Sequence, residues 1–350
     1  MTEIDATLVK QLIRAQFPQW AELPITPVEN GGWDNRTFHL GDSMSVRLPS
    51  ASHYVAQIEK EHRWLPVLGA QLPIPIPLAR GAPGTGYPWP WSIYGWLDGT
   101  PARADRIQDL GHFAEDLARF LVALRKIDAS NGPVAGTHNF HRGGSLTVYD
   151  TETRGAIVRL ADEIDAGAAT EVWNTALTTS WHGPSVWVHG DVAASNLLVS
   201  DERLCAVIDF GCAGVGDPSC DLVIAWTFLD EASRKIFHST IGLDPETWQR
   251  ARGWAIWKAL ITLGIVTTIR ARPRRRPRAS ATSLTIISDP PGKGNDHLRV
   301  ISNVAAADNL PASLQAEPPC PIIARHSNGF ARVLRTRTNA HRARARMQAA

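Results

Sequence analysis

The sequence lacks most of the features that would assign it quickly. Its 350 residues contain no apolar run near the roughly 18 that a membrane span needs, so no membrane partner is expected. Its opening, MTEIDATLVKQLIR, has no charged segment leading into an apolar core. No signal peptide is therefore expected, and the cytoplasm is the expected compartment. The four cysteines, Cys205, Cys212, Cys220 and Cys320, are irregularly spaced and form no C-x-x-C pair. That excludes a disulfide framework and argues against a structural zinc site. There is no G-x-x-x-x-G-K-[ST], no H-E-x-x-H and no G-x-S-x-G. The P-loop, zinc-peptidase and serine-hydrolase chemistries built on those motifs fall away.

Acidic residues thin out and tryptophan stops before residue 270. Residues 270–350 hold 14 Arg and 1 Lys against 4 acids, a balance of +11, so the chain's net +2 leaves −9 for residues 1–269. All 13 tryptophans lie at or before Trp257. Segments this different rarely belong to one folded unit. Residues 269–350 therefore read as a basic, disordered tail without hydrophobic periodicity. It could bind nucleic acid non-specifically; no specific nucleic-acid site is expected.

The body is patterned. DATLVKQLIRAQF reads as an amphipathic helix; VEN, RTFHL and SMSVRLP read as strands joined by a glycine-rich loop and a Gly-Asp turn. YVAQIEKEHRWLPVL carries Ile58, Leu65 and Leu68 on one helical stripe, with Pro66 counting against it. LPIPIPLA suits an edge strand, and WSIYGWL a strand ending at Asp98-Gly99. Beyond it, IQDLGHFAEDLARFLVALRKID gives the strongest helical spacing in the chain. TRGAIVRLADEIDAG, SCDLVIAWTFLDEAS and PETWQRARGWAIWKALITLG read as further helices. The fold class is α+β: a small β-rich lobe over residues 1–97 with a hinge near 94–98, then a larger helical lobe over 98–268.

Within the second lobe stands WVHGDVAASNLLVSDERLCAVIDFG. NLLV and LCAVIDF form a hairpin around SDER, which brings Asn196, before the first strand, near Asp209, at the end of the second. A carboxylate and an amide oxygen side by side suit a hard cation such as Mg²⁺. Asp191, on the preceding turn, can take a proton from a hydroxyl attacking a phosphate. D-x-x-x-x-N followed by D-F-G is the kinase catalytic-loop and metal-loop spacing.

VHGDVAASN, VIDFG and GVGDPSCDL together resemble the aminoglycoside phosphotransferase family, whose fold is protein-kinase-like and bilobal. His189, Gly190, Asp191, Asn196, Asp209, Asp217, Pro218 and Asp221 meet its signature. The resemblance implies that Asp191 is the catalytic base and that Asn196 and Asp209 hold Mg²⁺. His189 would brace the loop, and Asp217 and Asp221 would order it. ATP would be the phosphoryl donor.

Such folds need a cation on the third strand, paired with a carboxylate on the next helix, to grip the ATP phosphates. Arg47 offers the cation, in place of the family's common lysine, and Glu61 the carboxylate. Gly31 and Gly32 stand where a loop would cover the phosphates, and Tyr94 and Trp96 where an adenine would meet the hinge backbone. Only five residues separate D-F-G from Asp217, and no A-P-E follows. That leaves no peptide-binding segment and favours a small hydroxylated amine, most simply an aminoglycoside-type antibiotic. Asp162, Glu163 and Asp165 on one helix, and Asp230 and Glu231 after the signature, are the acids available to its amines. A metabolic sugar or amino-alcohol kinase, and a remnant that binds nucleotide without turnover, are the alternatives.

Overall fold

The structure, a computed structural model, describes residues 3–28 and 34–271, with side chains as far as Gly264, and the strands at 284–288 and 298–302. Gly31 and Gly32 lie outside the described residues.

The first lobe is built on alternation. Helix α1 (Ala6–Gln16) starts where the Asp5 carboxylate accepts the Leu8 N–H, and it buries Leu8, Val9, Leu12 and Ile13. These pack with Phe38, Val46, Leu48, Trp91 and Ile93 from an antiparallel sheet. The sheet's order is β1 (Ile25–Pro27), β2 (Asn35–Leu40), β3 (Met44–Pro49), β5 (Trp91–Gly95), β4 (Pro77–Gly81). Because strand side chains alternate, Val46 and Leu48 on one face leave Arg47 on the other, towards α2 (Val55–Leu68). The first strand is ITP rather than VEN, and Val28 extends its ladder only by donating to Thr37 O. The proline-rich segment does form the sheet edge. Pro66 does lie inside α2, in its last turn. Helix α2 also contributes to the second lobe: Leu65 and Leu68, with Tyr94, pack into that lobe's core.

The second lobe begins after Gly99, whose φ of 136° marks the break read from the sequence. Strand β6 (Thr100–Pro101) joins the hairpin of β8 (Leu197–Ser200) and β9 (Arg203–Val207). Asp201 and Glu202, both at positive φ, make its two-residue turn. Strands β7 (Val186–Val188) and β10 (Gly214–Gly216) pair antiparallel beside it. Around them lie α3 (Leu110–Lys126), capped by Asp109, α4 (Asp150–Arg159), α5 (Ala166–Leu177), α6 (Ile224–Thr227), α7 (Glu231–Ile241) and α8 (Pro245–Ala271).

Two helical readings were too long. TRGAIVRLADEIDAG ends as a helix at Arg159, and Asp165 instead caps α5 by accepting from Ala168 N. Asp162, Glu163 and Asp165 therefore share no helix. SCDLVIAWTFLDEAS is a 3-10 turn, then short α6, then a break before Asp230. Helix α8 runs to Ala271, and β11 (Leu284–Ser288) pairs antiparallel with β12 (Leu298–Ser302), which lies beside α6 and α8. The rest of the tail falls outside the described residues. No helix among the described residues is long and apolar enough to cross a membrane.

Candidate active site

The hairpin register places the two metal-ligand candidates. Ile208 N–H donates to Asn196 O at 2.9 Å, one residue past the β8–β9 ladder, so Asp209 follows directly beside Asn196. Asn196 is buried, and its side-chain NH₂ donates to Asp191 O at 3.1 Å. That orientation leaves the amide oxygen as its ligating atom. Asp209 sits at φ 67°, a left-handed conformation that a short polar side chain tolerates. Its carboxylate is about one-third exposed. Two oxygen donors on adjacent backbone fit a hard divalent cation.

The turn carrying Asp191 is held from beneath. Asp221, buried, accepts His189 N at 2.8 Å and Gly190 N at 2.7 Å. The His189 ring donates from Nε2 to Ile208 O and accepts Asp191 N–H at Nδ1, which fixes its tautomer. Gly190 has φ 82°, and a Cβ there would lie 2.4 Å from Cys212 O. Asp217 caps the following 3-10 turn through Ser219 N and pairs with buried Arg250 at 2.7 Å. The signature residues thus form one scaffold under Asp191.

From the first lobe, Arg47 reaches Asp209 at 3.3 Å and Glu61 at 3.7 Å. Burial disfavours its charge, but Glu61 and Asp209 outweigh that and hold it protonated. The Tyr94 hydroxyl donates to Glu61. Burial first, and Glu61 second, push that phenol well up from its usual range. The Tyr94 hydroxyl therefore belongs to the Arg47–Glu61 set; the adenine contact read from the sequence concerned the backbone here, not this side chain. At the hinge, Gly95 N–H donates to Ile76 O and Trp96 N–H to Ser43 O, while the Trp96 ring lies 4.1 Å from His39. These two amides are engaged within the first lobe.

Several site residues gave no signal in the sequence. Lys60, one position before Glu61, donates to Gly211 O and Ala213 O and ties α2 to the loop after Asp209. Asp34 accepts from Gln57 at 3.2 Å, and its carboxyl is raised to about 6, first by burial and then by Asp209. Lys258 of α8 donates to Asp191 Oδ1 at 2.9 Å. Burial alone would raise the Asp191 carboxyl, but Lys258, with help from Arg142 and His189, holds it at about 2. The Arg142 guanidinium lies over Trp257 and Trp254, 4.4 and 5.1 Å from the ring centroids.

The acids offered to an acceptor's amines are engaged elsewhere. Asp230 caps α7, accepting Ser233 N at 2.8 Å and its hydroxyl at 2.7 Å. Glu231 pairs with Lys235 at 2.7 Å.

A five-stranded lobe and a helical lobe that carries the Asn196–Asp209 hairpin define a protein-kinase-like fold. A model of the Phosphotransferase enzyme family (APH) matches residues 25–254, well over half of the chain, and the protein belongs to that family. Three solved structures show the likeness of fold. One is the GDP and kanamycin complex of APH(2")-IIIa, at 19% identity and TM-score 0.58, covering 75% of this chain and 92% of that one. The streptomycin-ATP-APH(2")-IIa ternary complex has 16% identity and TM-score 0.53, covering 77% and 98%. The macrolide 2'-phosphotransferase MphH from Brachybacterium faecium, an apoenzyme, has 22% identity and TM-score 0.52, covering 78% and 99%.

Proposed function

We propose that the protein transfers the γ-phosphoryl group of ATP, with Mg²⁺, to a hydroxyl of a small molecule. The observation that carries this is the hairpin register, which sets Asn196 and Asp209 side by side beneath Asp191 while Arg47 faces Asp209 from the other lobe. Asn196 and Asp209 would hold the cation. When bound, it neutralises charge on the phosphate oxygens. Arg47, kept in place by Glu61 and Tyr94, would grip the phosphates. Asp191 orients the acceptor hydroxyl. The acceptor oxygen bonds to the γ-phosphorus as the bond to the β–γ bridging oxygen breaks. ADP leaves, and the hydroxyl proton passes to Asp191. A carboxylate held at about 2 is a weak proton acceptor, so orientation is its larger contribution in a loose, in-line transfer.

An aminoglycoside-type acceptor draws support from the similar structures, two of which hold kanamycin or streptomycin. A metabolic hydroxy-compound kinase is the second reading, favoured by the engagement of Asp230 and Glu231 in capping and pairing. ADP release in the presence of Mg-ATP tests phosphotransfer itself. Asp191→Ala should keep Mg-ATP binding and lose roughly 10²–10⁴ in turnover. Asp209→Ala should weaken Mg-ATP binding as well. Turnover of Asp191→Ala at the parent rate would remove Asp191 from its role.

A further inference from the structure

Beside Asp191 lies a small recess lined by Val192, Val223, Trp254, Trp257, Arg142 and Lys258 among others. Its electrostatics are one-sided. Asp191 is the one carboxylate in the lining, and it is already paired with Lys258. Two buried donors of the lining, Arg142 Nη1 and Trp254 Nε1, have no hydrogen-bond partner among the described residues. A buried N–H left unpaired is costly, more so for a charged group. The unpaired side-chain groups of the lining residues are therefore donors, and their surplus charge is positive.

Arg142 is held there by a strained loop. Phe140 and His141 both adopt positive φ, 52° and 54°, conformations costly for non-glycine residues. Several bonds enforce them. Tyr149 hydroxyl donates to Phe140 O at 2.6 Å, and His141 N to Gly136 O at 2.8 Å. Fully buried Asn139 accepts from Gly136 N and donates to Arg142 O at 2.9 Å. The next residue, Gly143, accepts Asp217 N at 2.8 Å, which ties the loop to the signature scaffold. Trp257 is fixed in turn by donating to Glu152 at 2.9 Å. A loop strained and pinned to this degree, ending in an arginine with an unpaired donor, is built to meet an oxygen acceptor.

We infer that the acceptor for this site is a hydroxylated molecule bearing a carboxylate or comparable anionic oxygen group on an apolar body, with Arg142 and Lys258 binding the anion. This rests on the phosphotransfer reading and narrows its acceptor. A polyamine finds no available carboxylate in the lining and meets two cations.

The test is ADP release by the full chain with Mg-ATP, using matched acceptors: mandelate against methyl mandelate, gluconate against glucose, and kanamycin as the polycation. Each carboxylate should exceed its neutral counterpart and kanamycin in kcat/KM by about tenfold or more, the scale of one charge-assisted hydrogen bond. Arg142→Gln should abolish that preference through the acceptor's KM while leaving the KM for ATP unchanged, and Arg142→Lys should restore part of it. If Arg142→Gln does not fold, the matched pairs on the unaltered chain still decide. Equal rates within each pair, or preference for kanamycin, overturn the inference and leave phosphotransfer standing. No release above the acceptor-free rate with any of the five overturns it too. Loss of Mg-ATP binding itself is the separate result that removes the phosphotransfer reading.

Discussion

Two carboxylates are pushed in opposite directions: a neighbouring lysine overcomes burial at Asp191, whereas burial first and a neighbouring carboxylate second raise Asp34. Asp191 lies against Lys258 and is held at about 2; Asp34 lies near Asp209 in a buried setting and is raised to about 6. Their linkage to folding has opposite signs. Asp191 is depressed, so its stabilising share is present above the ordinary value of 3.8 and disappears as pH falls through about 2. Asp34 is raised. An unfolded chain ionises it near 3.8, while the folded chain keeps its proton up to about 6, so the folded state loses stability as pH rises through that window. Asp34→Asn removes this penalty and keeps an oxygen for Gln57. Its melting temperature relative to the parent should be more favourable at pH 7.5 than at pH 4.5. Differential scanning fluorimetry at the two pH values checks this, and an equal difference at both would show that Asp34 titrates normally.

At the scale of elements, helix α2 joins the lobes by one face. Gln57 holds Asp34, Lys60 holds the backbone after Asp209, and Glu61 meets Arg47 and Tyr94. Glu61 is buried, so its charge needs these partners. Glu61→Ala should raise the KM for ATP because Arg47 loses its anchor, and Arg47→Ala should do the same. The double variant should be little worse than either single one, a non-additivity that steady-state kinetics on the four proteins would measure. Additive losses would mean that the two act separately. This pairing was legible in the sequence because a buried helical stripe makes an acid on it conspicuous. The hairpin, its Asn196–Asp209 juxtaposition and the Asp221 support were legible too, since residues 189–221 are nearly contiguous and local turns fix their geometry. Arg142 and Lys258 were not. Lys258 lies 67 residues from Asp191 and Arg142 lies in an irregular loop, so only the packing of α8 and the strained turn brings them to the site. For Asp230 and Glu231 the sequence could not separate two roles, since an acid at a helix start is a cap as readily as a ligand, and Asp230 does cap α7. The break at Asp165 was missed because capping, rather than a change in hydrophobic period, ends that helical run.

At the scale of the whole molecule, charge divides the chain more sharply than secondary structure does. The +11 of residues 270–350 faces −9 in the remainder, yet α8 carries the folded body past that border to Ala271, and β12 lies beside α6 and α8. A two-stranded hairpin is marginal alone and needs such a neighbour to persist. Residues 303–350 are different in composition: 7 arginines, no tryptophan and no sustained apolar alternation. Deleting 303–350 should leave the melting temperature of the body unchanged within about 2 °C, under ~1 kcal/mol for a body of this size. Deleting 279–350, which removes the hairpin as well, should lower it further. The same two truncations separate charge from structure. Retention on heparin should fall with the arginines lost in each step and weaken steeply with salt, as counterion release requires. If the shorter deletion already unfolds the body, the basic segment is part of the fold. The wall of the acceptor recess that α8 supplies would then depend on it.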